Sequence, residues 1–260
     1  MRLYLEPEVE PCFHPDSYGY RPGRSALEAV GRCRERCWRY DWVIDLDLRS
    51  FFDSLDHSLV LRAVARHTSE RWIFLYVQRW LEAPLQHEDG TLEARDRGSA
   101  RREPAKTRIV YCKDANRIGS HEHERFDFLG YTFRPRMARS RSGGFFVSFC
   151  PAVAADAVKE IGRTIKRWRL HLRSGLTLSD LARAVNPIVR GWINYYGRFY
   201  RSKLISLLRR IDDYLVRWAM KKYKRLRGHP PRARRMLASV QRREPALFAH
   251  WQAAARPTAG

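Results

Sequence analysis

The sequence has no apolar stretch long enough to cross a membrane. A transmembrane helix needs about 20 consecutive apolar residues, and no run approaches that length. The N-terminus also lacks the apolar core of a secretory signal peptide. We therefore expect a soluble protein without a membrane partner.

Cysteines are few and their spacing is uninformative. Five cysteines occur in 260 residues, and this odd number does not suggest a disulfide framework. Cys33 and Cys37 are one helical turn apart, but no Cys-x-x-Cys pair is present. His121 and His123 lack a third ligand at metal-binding spacing. The pattern argues against a structural metal centre and fits the reducing cytoplasm.

Acidic residues are scarce in the second half of the chain. Residues 151–260 contain 25 Lys and Arg against 6 Asp and Glu, a net charge of +19, whereas residues 1–150 contain 25 against 22, a net charge of +3. A strongly basic half is typical of proteins that bind polyanions. Its basic residues alternate with Trp and Tyr at core-like spacing, which favours nucleic acid over a membrane surface.

Apolar periodicity changes near residue 150. Before it, the spacing predicts helices over 26–39, after Asp56 and over 70–81, with strands over 42–48, 107–112, 126–133 and 145–149. After it, repeats of three and four predict four helices, over 158–172, 177–185, 188–199 and 204–218. The expected fold class is α+β, with one domain over 1–150 and an all-helical domain over 151–260.

Two carboxylates share one face of the predicted strand over 42–48. A period of two places Asp45 and Asp47 opposite Trp42, Ile44 and Leu46. Nucleotidyl transfer uses two Mg²⁺ ions about 3.5–4 Å apart, held by carboxylates. Asp47, near the end of the predicted strand, could supply one of these ligands. Spacing alone favours the simpler interpretation, in which both side chains face solvent.

Longer motifs resemble one protein family. Residues 47–57, Asp-Leu-Arg-Ser-Phe-Phe-Asp-Ser-Leu-Asp-His, resemble the first catalytic motif of reverse transcriptases encoded by group II introns. Residues 13–26 are similar to the fingers-to-palm segment that precedes this motif in the family, and residues 106–114 and 126–133 to its late palm and primer-grip strands. Residues 186–197, Asn-Pro-Ile-Val-Arg-Gly-Trp-Ile-Asn-Tyr-Tyr-Gly, resemble its maturase-specific or thumb domain. The resemblance implies a partial reverse-transcriptase fingers and palm domain followed by a helical maturase-specific domain.

The chain departs from this family within the palm. After Gly98 and Ser99 the family continues to a Tyr-Ala-Asp-Asp hairpin with two further catalytic carboxylates, but no Asp-Asp precedes Lys106 here. We therefore expect Asp47 to be a vestigial catalytic and metal-binding residue, with Mg²⁺ needed only if polymerase activity remains. DNA polymerisation should be absent or very weak. The missing strands should also leave apolar faces of the front half exposed.

The resemblance implies that the basic half holds intron RNA and helps it to fold for splicing. The residues that match the family in this role are Arg190, Asn194, Tyr195, Lys221, Lys222, Lys224 and Arg225. RNA fits this surface better than duplex DNA, which stays open as a partner. The alternative function is an active RNA-directed DNA polymerase that obtains its missing ligands elsewhere, for example from a partner chain. The sequence predicts neither the oligomeric state nor which intron RNA is bound.

Overall fold

The computed structural model describes residues 1–46, 55–87, 89–93, 108–140 and 142–255. The chain divides into two compact units: unit 1 is Met1–Ser25 with Ile44–Ile109, and unit 2 is Ala26–Val43 with Val110–Gly260. Helices and strands are mixed, which confirms the α+β class. The domain boundary at residue 150 stays a prediction. Within the described ranges, no helix is both long and apolar enough to span a bilayer.

Unit 1 contains three helices and a short hairpin among its described residues. The helices are α1 (Arg2–Val9), α3 (His57–His67) and α4 (Arg71–Glu82). The Asp56 carboxylate caps α3 by accepting a hydrogen bond from the Ser58 N–H at 2.8 Å, as its sequence predicts. The hairpin pairs β2 (Leu85–Gln86) with β3 (Leu92–Glu93) around Gly90, whose φ is +84°.

Unit 1 buries little apolar surface. Among its described residues, Ile73 is the only buried hydrophobic side chain. Several large side chains on α3 and α4 are exposed: Leu59, Trp72, Leu75, Tyr76 and Trp80. Exposed apolar faces in the front half are therefore present, as expected from the sequence.

Strand β1 (Trp42–Asp45) forms a two-stranded sheet with β4 (Arg108–Tyr111). The predicted alternation is present, but the exposed side is the opposite of the expected one. Trp42 and Ile44 are 50% and 67% exposed, whereas Asp45 is half-buried and lies 3.6 Å from the Arg108 guanidinium. The interpretation of Asp45 as a solvent-facing residue is therefore wrong, because an ion pair covers it.

Unit 2 begins with α2 (Ala26–Arg39), whose bounds match the prediction. It continues with an antiparallel sheet of β5 (Phe126–Phe128), β6 (Tyr131–Arg139) and β7 (Phe145–Val153), in that order. The single strand predicted over 126–133 is wrong, because Leu129 and Gly130 have positive φ and form a turn between β5 and β6. The inner sheet face packs on α2 through a core of Val30, Cys37, Val110, Cys112, Phe126, Tyr131, Phe133 and Phe149.

The helical part of unit 2 follows the sheet. Its helices are α5 (Ala155–Arg167), α6 (Leu178–Tyr196), α7 (Arg201–Lys222), α8 (Pro230–Arg243) and α9 (Ala249–Ala255). They enclose a second core that includes Ile165, Leu181, Leu208, Ile211, Leu215, Trp218, Phe248 and Trp251. The sequence analysis did not predict α8 or α9.

Helix α6 continues through Pro187, so the predicted break there is wrong. A proline inside a helix removes one backbone hydrogen bond and strains the preceding turn. The neighbouring Asn186 is buried, and its side chain donates to the Leu247 carbonyl and accepts from the Ala249 N–H, both at 2.9 Å. These tertiary bonds hold the helix where local sequence would interrupt it.

Candidate nucleic-acid interface

Helix α7 is the centre of the helical core and presents a charged outer face. Its buried stripe repeats every three or four residues: Leu204, Leu208, Ile211, Leu215 and Trp218. The Trp218 indole is fully buried and donates to the Arg173 carbonyl at 3.1 Å. Cations occupy exposed positions along the helix: Arg209, Arg210, Arg217 and Lys221.

One of the two acidic residues of α7, Asp212, forms hydrogen bonds with buried side chains of the same fold. The Asp212 Oδ1 accepts hydrogen bonds from the Trp251 indole at 2.7 Å and from His250 Nε2 at 3.0 Å. Both partners belong to α9 and are buried. Asp213 is exposed and makes no ion pair with a described residue. Asp212 therefore fixes the C-terminal helix and is not available to neutralise the cations on the outer face.

Ion pairs are distributed unevenly over the helices. On α5, Lys159 lies 3.0 Å from Asp156, and Arg163 and Arg167 each lie 3.5 Å from Glu160. From the middle of α7 to the end of α8, none of the exposed cations forms an ion pair with a described acidic residue. These residues are Arg209, Arg210, Arg217, Lys221, Lys224, Arg225, Arg227, Arg232, Arg234, Arg235, Arg242 and Arg243. The fold thus leaves one continuous stretch of sequence with uncompensated positive charge.

Helix α8 contributes five of these cations, all arginines. Ala233 and Leu237 are buried, and Arg235 and Arg242 lie near the opposite side of the helix. These two are seven residues apart, about 10.5 Å along the axis. The sequence analysis missed this surface, although the apolar spacing of Ala233, Leu237 and Val240 among arginines was a signal for a basic amphipathic helix.

Five of the sequence-predicted RNA-binding residues are exposed. Arg190 and Asn194 lie on α6, Lys221 lies near the end of α7, and Lys224 and Arg225 lie in the 3-10 turn that follows it. Lys221, Lys224 and Arg225 belong to the same stretch as the newly found arginines. Contact with RNA stays a prediction for all five.

The other two predicted residues make bonds within the fold. The Tyr195 hydroxyl donates to the Leu129 carbonyl at 2.9 Å. The backbone carbonyl of Tyr195 accepts a hydrogen bond from the Tyr131 hydroxyl. Burial, with the nearby Tyr196, raises the pKa of Tyr195. Lys222 Nζ donates to the carbonyls of Ser174 and Leu176 at 3.0 and 2.9 Å. Tyr195 therefore packs α6 on the β5–β6 turn, and Lys222 holds the loop before α6.

The predicted metal ligand Asp47 lies outside the described residues. Elsewhere in the described part of the chain, no three His, Cys, Asp or Glu side chains are grouped in a way that would hold a metal ion. The described residues therefore do not fit a two-metal centre.

Residues 158–237 match the family model described as the group II intron, maturase-specific domain. The match begins within α5, contains α6 and α7, and ends within α8. This segment of the chain is similar to a group II intron maturase-specific domain. The resemblance of residues 186–197 to this domain is confirmed, and the unpaired cations of α7 and most of those of α8 lie within the matched segment.

Three curated relatives are similar to parts of this chain. Protein YkfC of Escherichia coli is 40% identical over 77 residues, 27% of this chain and 20% of its own length. An uncharacterized 91 kDa protein in the cob intron of Schizosaccharomyces pombe is 23% identical over 177 residues, 67% of this chain and 21% of its own. The group II intron-encoded protein LtrA of Lactococcus lactis is 25% identical over 83 residues, which are 32% of this chain and 14% of its own length. The matched segments thus span about a fifth or less of these longer proteins.

Proposed function

We propose that this chain binds group II intron RNA through its maturase-specific domain and assists the splicing of that RNA. The supporting observation is the stretch of exposed, unpaired cations from Arg209 on α7 to Arg243 on α8. The relatives named as intron proteins support the choice of intron RNA as the partner. Duplex DNA is the competing ligand, and cytoplasmic localisation stays a prediction from cysteine usage.

The physical basis is the release of counterions from a polyanion. Clustered cations repel one another, and this repulsion is relieved when phosphates lie close to them. Each neutralised phosphate releases bound counterions. For a protein with six or more phosphate contacts, the affinity therefore falls by about 10³-fold or more when salt rises from 50 to 200 mM. The cations of α5 should contribute less, since Asp156 and Glu160 already compensate them.

A gel-shift salt titration with structured RNA and duplex DNA tests this proposal. The variant pair Arg235→Gln and Arg242→Gln removes two unpaired cations from α8. It should weaken RNA binding and reduce the slope of log affinity against log salt by about 2. The matched control is Lys159→Gln with Arg163→Gln on α5, which removes two paired cations and should change the slope less.

Two results would contradict the proposal. One is equal affinity of the wild-type chain for structured RNA and for duplex DNA at the same salt concentration. The other is a salt slope that changes as much for the α5 control as for the α8 variant, since general positive charge would then explain binding.

We further infer that the front half is a partial fingers and palm domain that has lost polymerisation. The absence of a Tyr-Ala-Asp-Asp hairpin before Lys106 supports this inference, as does the single buried hydrophobic residue among the described part of unit 1. The alternative is an active RNA-directed DNA polymerase. Primer extension on an RNA template with Mg²⁺ separates the two, because robust synthesis that Asp47→Ala abolishes would establish the alternative.

A further inference from the structure

The first turn of α7 carries cations where a helix favours anions. It contains Arg201 and Lys203 and no acidic residue, and the N-cap residue Tyr200 forms no side-chain cap. The free N–H groups of a helix N-terminus carry partial positive charge, which attracts acidic groups and disfavours basic ones. The start of α7 is therefore an unfavourable place for these side chains unless an anion lies nearby.

A buried arginine from the sheet lies against this turn. Arg136 of β6 is 7% exposed, and its Cζ lies 5.4 Å from the centre of the Tyr200 ring. Its Nε donates to the Cys150 carbonyl and its Nη2 to the Thr132 carbonyl, both at 3.1 Å. Nη1 donates no hydrogen bond to a described residue, and no described carboxylate pairs with the guanidinium. A buried charge without a counterion is costly, so the charge of this arginine remains uncompensated among the described residues.

Two further cations lie near Arg136. Arg134 is two residues away on β6, so strand alternation places it on the same face of the sheet. Lys203 Nζ donates to the Val153 carbonyl at 3.0 Å. Burial, followed by the charges of Arg136 and Arg134, lowers the pKa of Lys203, while Asp127 acts weakly in the opposite direction.

The same electrostatic conflict affects Arg136. Burial, followed by the charge of Arg134, lowers the pKa of Arg136 to about 10. Among the described carboxylates, Asp127 lies nearby, but it accepts a hydrogen bond from the Thr132 hydroxyl and makes no ion pair with these cations. The cluster therefore holds three mutually repelling cations beside the positive end of a helix.

We propose that Arg134, Arg136 and Lys203 form a binding site for a phosphoryl oxyanion at the start of α7. Arginine donates in a planar fork that matches phosphate oxygens, and a helix N-terminus adds favourable partial charge. The site goes beyond the proposed RNA surface, because Lys203 precedes Arg209, the first residue of that surface, by six residues, about 9 Å along α7, and Arg134 and Arg136 lie on the sheet. A backbone phosphate of RNA and a free phosphate share this chemistry.

Thermal unfolding of the full chain with inorganic phosphate at constant ionic strength tests the site. Phosphate at about ten times its Kd should raise the Tm by about 3–6 °C. The double variant Arg134→Gln with Lys203→Gln should lose this rise. Without phosphate its Tm should equal or exceed that of the wild type, since repulsion is removed while the buried Arg136 is kept. Lys159→Gln with Arg163→Gln, which changes paired cations on α5, should keep the rise.

Affinity for a short RNA oligonucleotide distinguishes the two sources of phosphate. Affinity about tenfold weaker in the Arg134 and Lys203 double variant than in the α5 control would assign the site to backbone phosphate. A lost phosphate effect with unchanged RNA affinity would assign it to a free phosphate. A double variant that matches the α5 control in both assays would overturn the proposal, whatever the result for the α8 variants.

Discussion

Replacement of Asp212 by alanine should destabilise the helical part of unit 2 strongly. One carboxylate oxygen accepts from the Trp251 indole at 2.7 Å and from His250 Nε2 at 3.0 Å. Both donors are buried, and the second ring nitrogen of His250 has no hydrogen-bond partner among the described residues. Asp212→Ala would thus leave two buried donors without their acceptor.

The magnitude follows from these two hydrogen bonds. A hydrogen bond to a charged group contributes about 1.5–3 kcal/mol, with the larger loss when a buried partner is left unsatisfied. Because the Asp212 side chain is 39% exposed, water weakens its contribution, and a total near 2–4 kcal/mol is reasonable. For a chain of this size that corresponds to a Tm lower by about 5–12 °C.

Asp213→Ala is the matched control, since it removes the same charge one residue away. Asp213 is exposed and has no ion pair or hydrogen bond with a described residue, so its replacement should change stability by about 0.5 kcal/mol or less. Thermal unfolding monitored by circular dichroism measures both variants. Equal Tm values for the two variants would refute the assignment of Asp212 as the anchor of α9.

Two further predictions concern the helical core. Trp218→Ala should lower the free energy of unfolding by about 3–5 kcal/mol, because the indole is fully buried and donates to the Arg173 carbonyl; chemical denaturation measures this. Thr177→Ala should cost about 1 kcal/mol, because Thr177 and Asp180 form a capping box at the start of α6. Hydrogen bonds from Thr177 lower the pKa of Asp180, so the ionised cap is complete above the unfolded pKa and is lost as pH falls through the folded one. The Tm difference between wild type and Thr177→Ala should therefore shrink at acidic pH.

Local patterns in the sequence predict the elements that local forces decide. The apolar spacing of α2 gives its bounds of 26–39, and Asp56 caps α3 as expected. The failures have non-local causes. Asn186 holds α6 through Pro187 by bonding to residues 61 and 63 positions later. The turn at Leu129 requires a leucine with positive φ, which no propensity rule favours.

The candidate interface was predictable in charge but not in detail. Counting residues locates the excess of cations in the second half of the chain, because net charge depends on composition alone. Which cations remain unpaired depends on where the acids point. Lys159 and Asp156 are three residues apart on one helix, so their pairing is visible in the sequence. The hydrogen bond between Asp212 and Trp251 joins residues 39 positions apart, so it is not visible in the sequence.

The fold therefore separates the positive charge of this domain into groups with different physical behaviour. Exposed cations such as Arg235 and Arg242 interact through water. At physiological ionic strength, salt largely screens such charges from one another beyond about 8 Å. Arg136 is buried, and screening by mobile ions is much weaker there. Binding by the outer surface of α7 and α8 should thus weaken steeply with salt, whereas an oxyanion held by Arg136 should be far less sensitive. Salt dependence alone therefore distinguishes the two surfaces, even though both are made of the same residue types and lie in unit 2.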